Sequence, residues 1–404
     1  MALNLSPETI AIVKATVPAL TEHGSTITRT MYQRLFENKD IAALFNKTNQ
    51  ETGAQVHALA GAILAYARNI ENLGVLGGAV ERIAQKHIGY AIHAEHYPFV
   101  ATALLGAIKD TLGDAATPEI LTAWGEAYWF LADILKGREA QIRTDIASHE
   151  GGWVDWREFV IAKRHAESEI ITSFILKPAD GGKVVPHKPG QYLTFRLDQA
   201  GLSGVKRNYS ISCAPNDEHY RISIKRETEG RASKFFHDQA QVGTVLQCTP
   251  PAGDFHLAAQ PERPVVLLSG GVGLTPMVSM LETIADQHKG LPTWFVHGTA
   301  GRSTHAFVEH VKSLAERQGS TAVATFYEQP PVPGARLGDD AGTHSGFITI
   351  EWLQQNTPLA EADVYLCGPR PFLRFFVAGL HQAGVPTDRI HYEFFGPADE
   401  VLSA

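Results

Sequence analysis

Cysteine is scarce in this chain: Cys213, Cys248 and Cys367 lie far apart and form no C-x-x-C pair. That excludes a disulfide framework and a cysteine-based zinc or iron–sulfur site, and it fits a reducing cytoplasm. Long apolar runs are missing as well; none approaches the roughly 18 residues that a membrane-crossing helix needs. The opening MALNLSPETI has neither the basic start nor the apolar core of a secretory signal. There is no basic excess. The net charge of −8 argues against a nucleic-acid-binding surface. Internal repeats are also absent. What remains is a chain of 404 residues, 44% apolar and 19% charged, balanced like a globular protein and too long for one ordinary core.

Residues 1–148 read as helical throughout. Ser6-Pro7-Glu8 is a helix start, with a capping hydroxyl, proline at the first helical position and an acid in the first turn. Thr117-Pro118-Glu119 repeats that signal before a long stretch in which Ile120, Trp124, Ala127, Leu131, Ile134 and Leu135 recur at helical spacing. The paired glycines of HEGGWVDW (149–156) break the pattern and mark a domain boundary. Beyond them come short β-rich runs such as REFVIAKRHA, QYLTFRL and YRISIKRE, separated by Gly, Pro and Asp, which predict an antiparallel barrel or sandwich over 149–259. Over 260–404 strands alternate with helices, the pattern of a parallel α/β sheet. The turn-rich QPPVPGARLGDDAGTHSG (329–346) reads as a surface excursion.

In LLSGGVGLTPM (267–277) a buried strand runs into glycines and then a helix. Glycines let backbone N–H groups approach a pyrophosphate, and the helix N-terminus adds partial positive charge. Gly271, Val272, Gly273, Leu274, Thr275 and Pro276 are therefore a candidate phosphate cradle, with a tight structural turn as the alternative. Pro276 stands where the dinucleotide fingerprint has its third glycine, a position where its missing N–H is not needed.

Two further motifs accompany this loop. RNYS (Arg207, Asn208, Tyr209, Ser210) lies in the β-rich region and offers a cation for phosphate, a ring to stack on a flavin and a hydroxyl for a ring nitrogen. YLCGP, with Cys367, Gly368 and Pro369, ends a predicted strand, where open α/β sheets bind ligands. Together the three resemble the ferredoxin-reductase superfamily, in which an antiparallel flavin barrel precedes a parallel nucleotide domain. The resemblance implies that Tyr192 and Arg207–Ser210 hold FAD, and that Gly230 and Ser233 of GRAS face its pyrophosphate. The competing reading of GRAS is an ordinary helix cap. It also implies that Glu393, Phe394, Phe395, Gly396 and Pro397 of EFFGP lie at the flavin, one phenylalanine yielding to the nicotinamide. Cys367 has no evident basic partner and reads as packing beside that site. NADH and NADPH both remain open: no acid follows the second strand, and Arg302 and Ser303 could meet a 2′-phosphate.

QKHIGYAIHAEHY (85–97) poses a separate question, for it holds His87, His93 and His96. At about 100° per residue, His87 and His96 would face opposite ways on one helix and could not share a metal. His93 and His96 could, but no third ligand is evident and Gly89 interrupts the helix. His87 follows Val80, Ile83 and Ala84 by seven, four and three residues, on an apolar stripe. A buried histidine needs a partner, and two are open: a core hydrogen bond, or a haem iron.

The string MYQRLF…LFNKTNQETGAQVHALA…IAQKH…EHY…GREA, followed by the reductase motifs, closely resembles the flavohaemoglobins, a globin fused to such a reductase. The resemblance covers essentially the whole chain. It implies that His87 is the proximal ligand of haem b, with Lys86 beside it and Phe45 packed on the haem. Tyr97 and Glu139 would form the proximal network, a carboxylate on the ligating imidazole raising its basicity. Tyr32 would be the distal hydroxyl, with Gln55 and Leu59 completing the distal wall. His93 and His96 match no functional position. Read locally, Glu139 in GREAQ looks like a solvated face; Gln141 stands where the family often has a second acid. His57 points off the stripe of Gln55, and Trp124 and Trp129 read as core.

The implied activity is that of a cytoplasmic nitric oxide dioxygenase: NAD(P)H reduces FAD, FAD reduces haem, and ferrous haem with O2 converts nitric oxide to nitrate. The alternative with the same cofactors is a hydroperoxide reductase. A gas sensor or oxygen store would not need the attached reductase. The resemblance admits a lipid or other hydrophobic ligand in the distal pocket, and nothing in the sequence demands more than a monomer.

Overall fold

A computed structural model describes residues 4–45, 54–198, 201–328 and 342–395, with residues 54 and 55 described by backbone alone. Gln55, Gly396, Pro397 and most of 329–346 therefore lie outside the residues described in full. The chain divides into two units, one ending at Ser148 and the other beginning at His149.

The first unit is helical: α1 (Pro7–Ala15), α2 (Val17–Leu35), α3 (Lys39–Ala42), α4 (Ala54–Arg68), α5 (Gly77–Gly89), α6 (Tyr97–Leu112) and α7 (Pro118–Ser148). Ser6 caps α1 by accepting from the Thr9 N–H, with Pro7 in the first turn. Helix α2 packs on α4 and α6, and α5 packs on α7. The main core gathers Ile27, Met31, Tyr32, Leu35, Leu104 and Trp124. Trp124 is buried, its indole N–H donating to Thr16 Oγ1 at 3.2 Å. Trp129 is 39% exposed, contrary to the core role read from its sequence. It lies about 140° round α7 from Trp124, off the stripe that packs inward.

The second unit holds two sheets. The first joins β1 (Arg157–Ala166), β2 (Ile171–Pro178), β3 (Tyr192–Leu197), β4 (Val205–Ser210), β5 (Tyr220–Lys225) and β6 (Val245–Cys248) in the order β4-β3-β6-β1-β2-β5. Every pairing in it is antiparallel. An isolated bridge between Ile211 and Ile222 links the chain just after β4 to β5, at the sheet's opposite edges. The short α8 (Arg231–Lys234) precedes a single π-turn.

The second sheet is parallel and runs β10-β9-β8-β7-β11-β12. Its strands are β7 (Val265–Gly270), β8 (Thr293–Thr299), β9 (Thr321–Tyr327), β10 (Thr343–Ser345), β11 (Asp363–Cys367) and β12 (Ile390–Glu393). They alternate with α9 (Leu274–Gln287), α10 (Val308–Gln318), α11 (Ile350–Asn356) and α12 (Arg370–Gln382). All six residues of β7 are buried, as expected for a central strand covered on both faces. Among the described residues no helix is long and apolar enough to cross a membrane.

Candidate functional site

Helix α5 ends at Gly89, and Ala91 then takes a positive φ of 53°. That reversal separates the three histidines. His96 Nδ1 accepts from the His93 N–H at 2.9 Å, so this pair forms a turn ahead of α6. No cluster of three or more metal-binding side chains occurs among the described residues.

His87 stays on the inner side of α5, where Val80 and Ile83 meet Leu131 and Leu135 of α7, and Ala84 and Ile88 meet Ile142. Its Nδ1 donates to Glu139 Oε1 at 2.7 Å. A carboxylate only accepts, so Nδ1 carries the donated proton, and in the neutral imidazole Nε2 keeps its lone pair. The Tyr97 hydroxyl donates to the same Oε1 at 2.5 Å. Glu139 is 1% exposed; Arg143, one turn on, sets Nη1 at 3.8 Å from its other oxygen. Burial and the neighbouring Glu139 push the Tyr97 phenol well above its ordinary pKa, so it remains a donor. Lys86 is exposed beside His87.

Glu139 is thus no part of a solvated face, as its local sequence suggested. Leu135, Ile142 and Ile146 surround it at spacings of four, three and seven along α7, and all are packed inward. That stripe is the signal that points Glu139 at α5.

Tyr32 is buried against two phenylalanines, with ring centroids 5.5 Å from Phe36 and 5.7 Å from Phe45. Leu59 packs into the same cluster. The structure therefore brings Tyr32 and Phe45 into ring contact, with Leu59 in the same core. His57 is exposed, its Nδ1 3.3 Å from Ser25 Oγ, away from that group.

In the second unit β3 pairs with β4 so that Tyr192 faces Ser210 and Thr194 faces Asn208. Strand alternation puts Arg207 and Tyr209 on the other face. There the Tyr209 ring packs 5.2 Å from Phe236 and 5.9 Å from Phe195, and burial pushes its phenol up. Gly230 precedes α8, and Ser233 Oγ donates to the Gly230 carbonyl at 3.0 Å while accepting from the Glu227 N–H at 3.1 Å. The hydroxyl thus ties the Glu227–Gly230 turn to the start of α8, and no side chain caps that helix.

The glycine loop joins the end of β7 to α9. Gly271 has φ 56°, a conformation that favours glycine, and α9 begins at Leu274, with Thr275 and Pro276 in its first turn. A Cβ on Gly273 would lie 2.1 Å from the Cys367 carbonyl oxygen and 2.8 Å from the Gly368 nitrogen. Only glycine lets this loop rest on the Cys367–Gly368 peptide. Val272 is partly buried against the same core. Pro369 caps α12, and Cys367 pairs in register with Glu393 on β12. Arg370 lies 5.3 Å over the Phe394 ring, and Phe395 is 48% exposed. Arg302 is exposed and stacks 5.4 Å from the Tyr327 ring. Loop, Cys367–Pro369 and the end of β12 thus converge at the carboxyl edge of the sheet, where open α/β folds take ligands.

Sequence reasoning missed one group, at the junction of the two sheets. There Glu282 on α9 meets Arg221 on β5 and His310 on α10. Its partners are far apart in sequence, and no local pattern marks them.

Comparison with known proteins agrees with this layout. A globin family model matches residues 29–135, an oxidoreductase FAD-binding domain residues 158–257, and an oxidoreductase NAD-binding domain residues 267–378. The chain is 62% identical over 404 residues to a flavohemoprotein of Xylella fastidiosa, covering 100% of both chains. It is similar to the crystal structure of a Malassezia yamatoensis flavohemoglobin with bound FAD and heme: TM-score 0.84, 27% identity, 97% of this chain and 100% of that one. The FAD/NAD-binding domain of a nitric oxide dioxygenase from Vibrio cholerae matches 60% of this chain and 100% of its own, at 36% identity and TM-score 0.54. With a buried carboxylate on a helical histidine in one unit and a glycine loop seated on a cysteine–glycine peptide in the other, the chain belongs to the flavohemoprotein family.

Proposed function

We propose that this chain is a nitric oxide dioxygenase that uses NAD(P)H and O2 to convert nitric oxide to nitrate. One observation carries the reading: the buried Glu139 carboxylate on His87 Nδ1, in a chain that also holds a flavin and nicotinamide reductase. The proposed haem domain is 1–148, the FAD domain 149–259 and the NAD(P)H domain 260–404.

The residues suit the groups they would hold. His87 has Nδ1 committed and Nε2 free to donate its lone pair to haem iron. Gly273 seats the loop on the Cys367–Gly368 peptide, while a Cβ on Gly271 would meet nothing within 4 Å, so the backbone of Gly271–Pro276 stays open to a nucleotide pyrophosphate. The reduced nicotinamide, FAD and haem, when bound, would supply in turn the hydride, its acceptance and division into single electrons, and the oxidation of nitric oxide by O2. Glu139 makes the imidazole more basic by accepting a hydrogen bond from its Nδ1–H, and Tyr97 fixes that carboxylate in place. Tyr32 offers a hydroxyl from an otherwise apolar distal wall of Phe45 and Leu59, with Gln55 assigned beside them. That wall would also accept an acyl chain. Lys86 adds positive charge next to His87. For FAD the assigned residues are Tyr192, Arg207–Ser210, Gly230 and Ser233. For the nicotinamide they are Cys367, Gly368 and Pro369, while the segment Glu393–Pro397 is assigned to the flavin, one phenylalanine yielding to the nicotinamide. The reading describes a cytoplasmic monomer.

A hydroperoxide reductase is also consistent with the buried carboxylate on His87 and would draw on the same electrons. Product analysis separates the two. NADH-driven consumption of nitric oxide in aerated buffer should yield about one nitrate per nitric oxide. Protein replete in haem and FAD that consumes none, yet reduces an organic hydroperoxide, would overturn the dioxygenase reading.

A further inference from the structure

Helix α9 carries the glycine loop at its N-terminus and, one and two turns on, Ser279 and Glu282 on one face. Both side chains reach the segment that follows β4. Ser279 Oγ donates to the Cys213 carbonyl at 2.6 Å, and the Ala214 N–H donates to Glu282 Oε2 at 2.6 Å. The other oxygen of Glu282 accepts from Arg221 Nη2 at 2.6 Å and from His310 Nε2 at 2.5 Å. Arg221 in turn lies 5.0 Å over the Phe307 ring and donates to the Ser212 carbonyl.

Glu282 is 9% exposed. Burial alone would raise its carboxyl, but His310, Arg221 and the Ala214 N–H outweigh that and hold it below the ordinary value. A carboxylate buried among three donors is costly to break, because removing one partner strands the others. Only Ile211–Cys213 separates Ser210 from Ala214, and only five residues separate Pro276 from Glu282. The contact therefore ties the end of the RNYS segment to the helix that opens at the glycine loop.

We propose that Glu282 is a positioning residue for hydride transfer: by clamping α9 to Ala214 and Arg221 it sets the reach from nicotinamide to flavin. This rests on the reading of the second unit as an FAD- and NAD(P)H-dependent reductase. The reaction served is simple in balance. The dihydronicotinamide gives up a hydride and leaves as oxidised nucleotide, and the flavin gains that hydride with its two electrons. Glu282 touches neither reactant; it acts through the distance between them. Such distances matter, since a misplacement of about 1 Å can cost roughly 100-fold in rate.

The test is stopped-flow reduction of FAD by NADH in the full-length holoprotein, comparing Glu282→Gln, Arg221→Met and the double variant. The limiting rate should fall about tenfold or more in each single variant, with KM for NADH within about twofold, because the glycine loop itself is untouched. The deuterium isotope effect with 4-deuterated NADH should rise. The double variant should be no slower than the worse single, as for groups acting as one unit. FAD content and the haem spectrum should be unchanged. His310→Gln, at a partly exposed position, should show a smaller slowing of the same kind and keeps the test open if Glu282→Gln folds poorly. An unchanged limiting rate in Arg221→Met and His310→Gln would overturn the proposal, as would a raised KM at unchanged rate, or slowing without a larger isotope effect. If NADH failed to reduce FAD in the unaltered protein, the reductase reading would fall instead, a result distinct from any of these.

Discussion

His87 and Glu139 stand 52 residues apart in the chain and meet at 2.7 Å, Nδ1 to Oε1, in a place where the carboxylate is 1% exposed. A buried charge is tolerated only when it is paired and hydrogen-bonded. Here the Tyr97 hydroxyl shares the same oxygen, and Arg143 stands 3.8 Å from the other. Two helices and the start of a third are thereby committed to orienting one imidazole.

Replacing Glu139 by Gln should keep the fold and the haem, since the amide is isosteric and can turn its carbonyl toward His87. It removes the negative charge that draws on the Nδ1 proton. The iron–histidine stretching frequency of the ferrous protein should drop, and turnover should fall roughly 10- to 100-fold, the usual effect of losing such a partner. Resonance Raman spectra identical to those of the unaltered protein would show that the carboxylate has no influence on the ligand.

Gly273→Ala places a methyl 2.1 Å from the Cys367 carbonyl oxygen, with backbone on both sides. Neither backbone can give way like a flexible side chain, so the loop must lift off the Cys367–Gly368 peptide. KM for NADH should rise by about tenfold, equivalent to ~1.4 kcal/mol of binding. FAD and haem content should hold. Steady-state assays with ferricyanide as acceptor would check this, and an unaltered KM would mean that the loop does not contact the nucleotide.

Three buried histidines make the protein acid-sensitive. Burial, as the main cause, pushes His187 down to about 4, His297 to about 3 and His305 to about 4. Unfolded, each titrates near ~6.5. Between these values the unfolded chain binds more protons than the folded one, so stability rises with pH through that window. It is complete above about pH 6.5 and is lost as the pH falls toward 4. Going from pH 7 to 5 should cost about 2 kcal/mol per histidine. Urea unfolding at the two pH values measures the difference, and His297→Gln should show a shallower dependence than the unaltered protein.

Much of this was legible because the chain changes period where it changes fold. The helical caps at Ser6 and Thr117, the short β runs after Trp156 and the strand–glycine–helix unit at 267–277 all report local physics, and the elements formed there. Glu139 was misread locally because five residues, GREAQ, are too short a window on a helix running from Pro118 to Ser148. Its burial is set by Leu135, Ile142 and Ile146 together. Trp129 failed for the opposite reason: a large apolar residue suggested core, while its angular position on α7 put it outside. The Glu282 cluster was beyond reach, since its partners come from β5, the loop after β4, and α10. Only the packing of α9 and α10 against β5 and the loop after β4 brings them together.

The cysteines provide a last prediction. Cys367 stands at the glycine loop and could be taken for a nucleophile, but it is fully buried, and burial together with Glu393 pushes its thiol well above the ordinary value. Cys248 is likewise raised by burial, and Cys213 is pushed up to about 11. The thiolate is the reactive form, and at pH 8 none of the three supplies much of it. Native protein treated with iodoacetamide at that pH should keep its NADH oxidation and take up no label, while the same protein in denaturant should take up three. Rapid labelling of Cys367 in the native state, read by peptide mass, would mean that the loop opens, and loss of activity in step with it would restore a chemical role for the thiol.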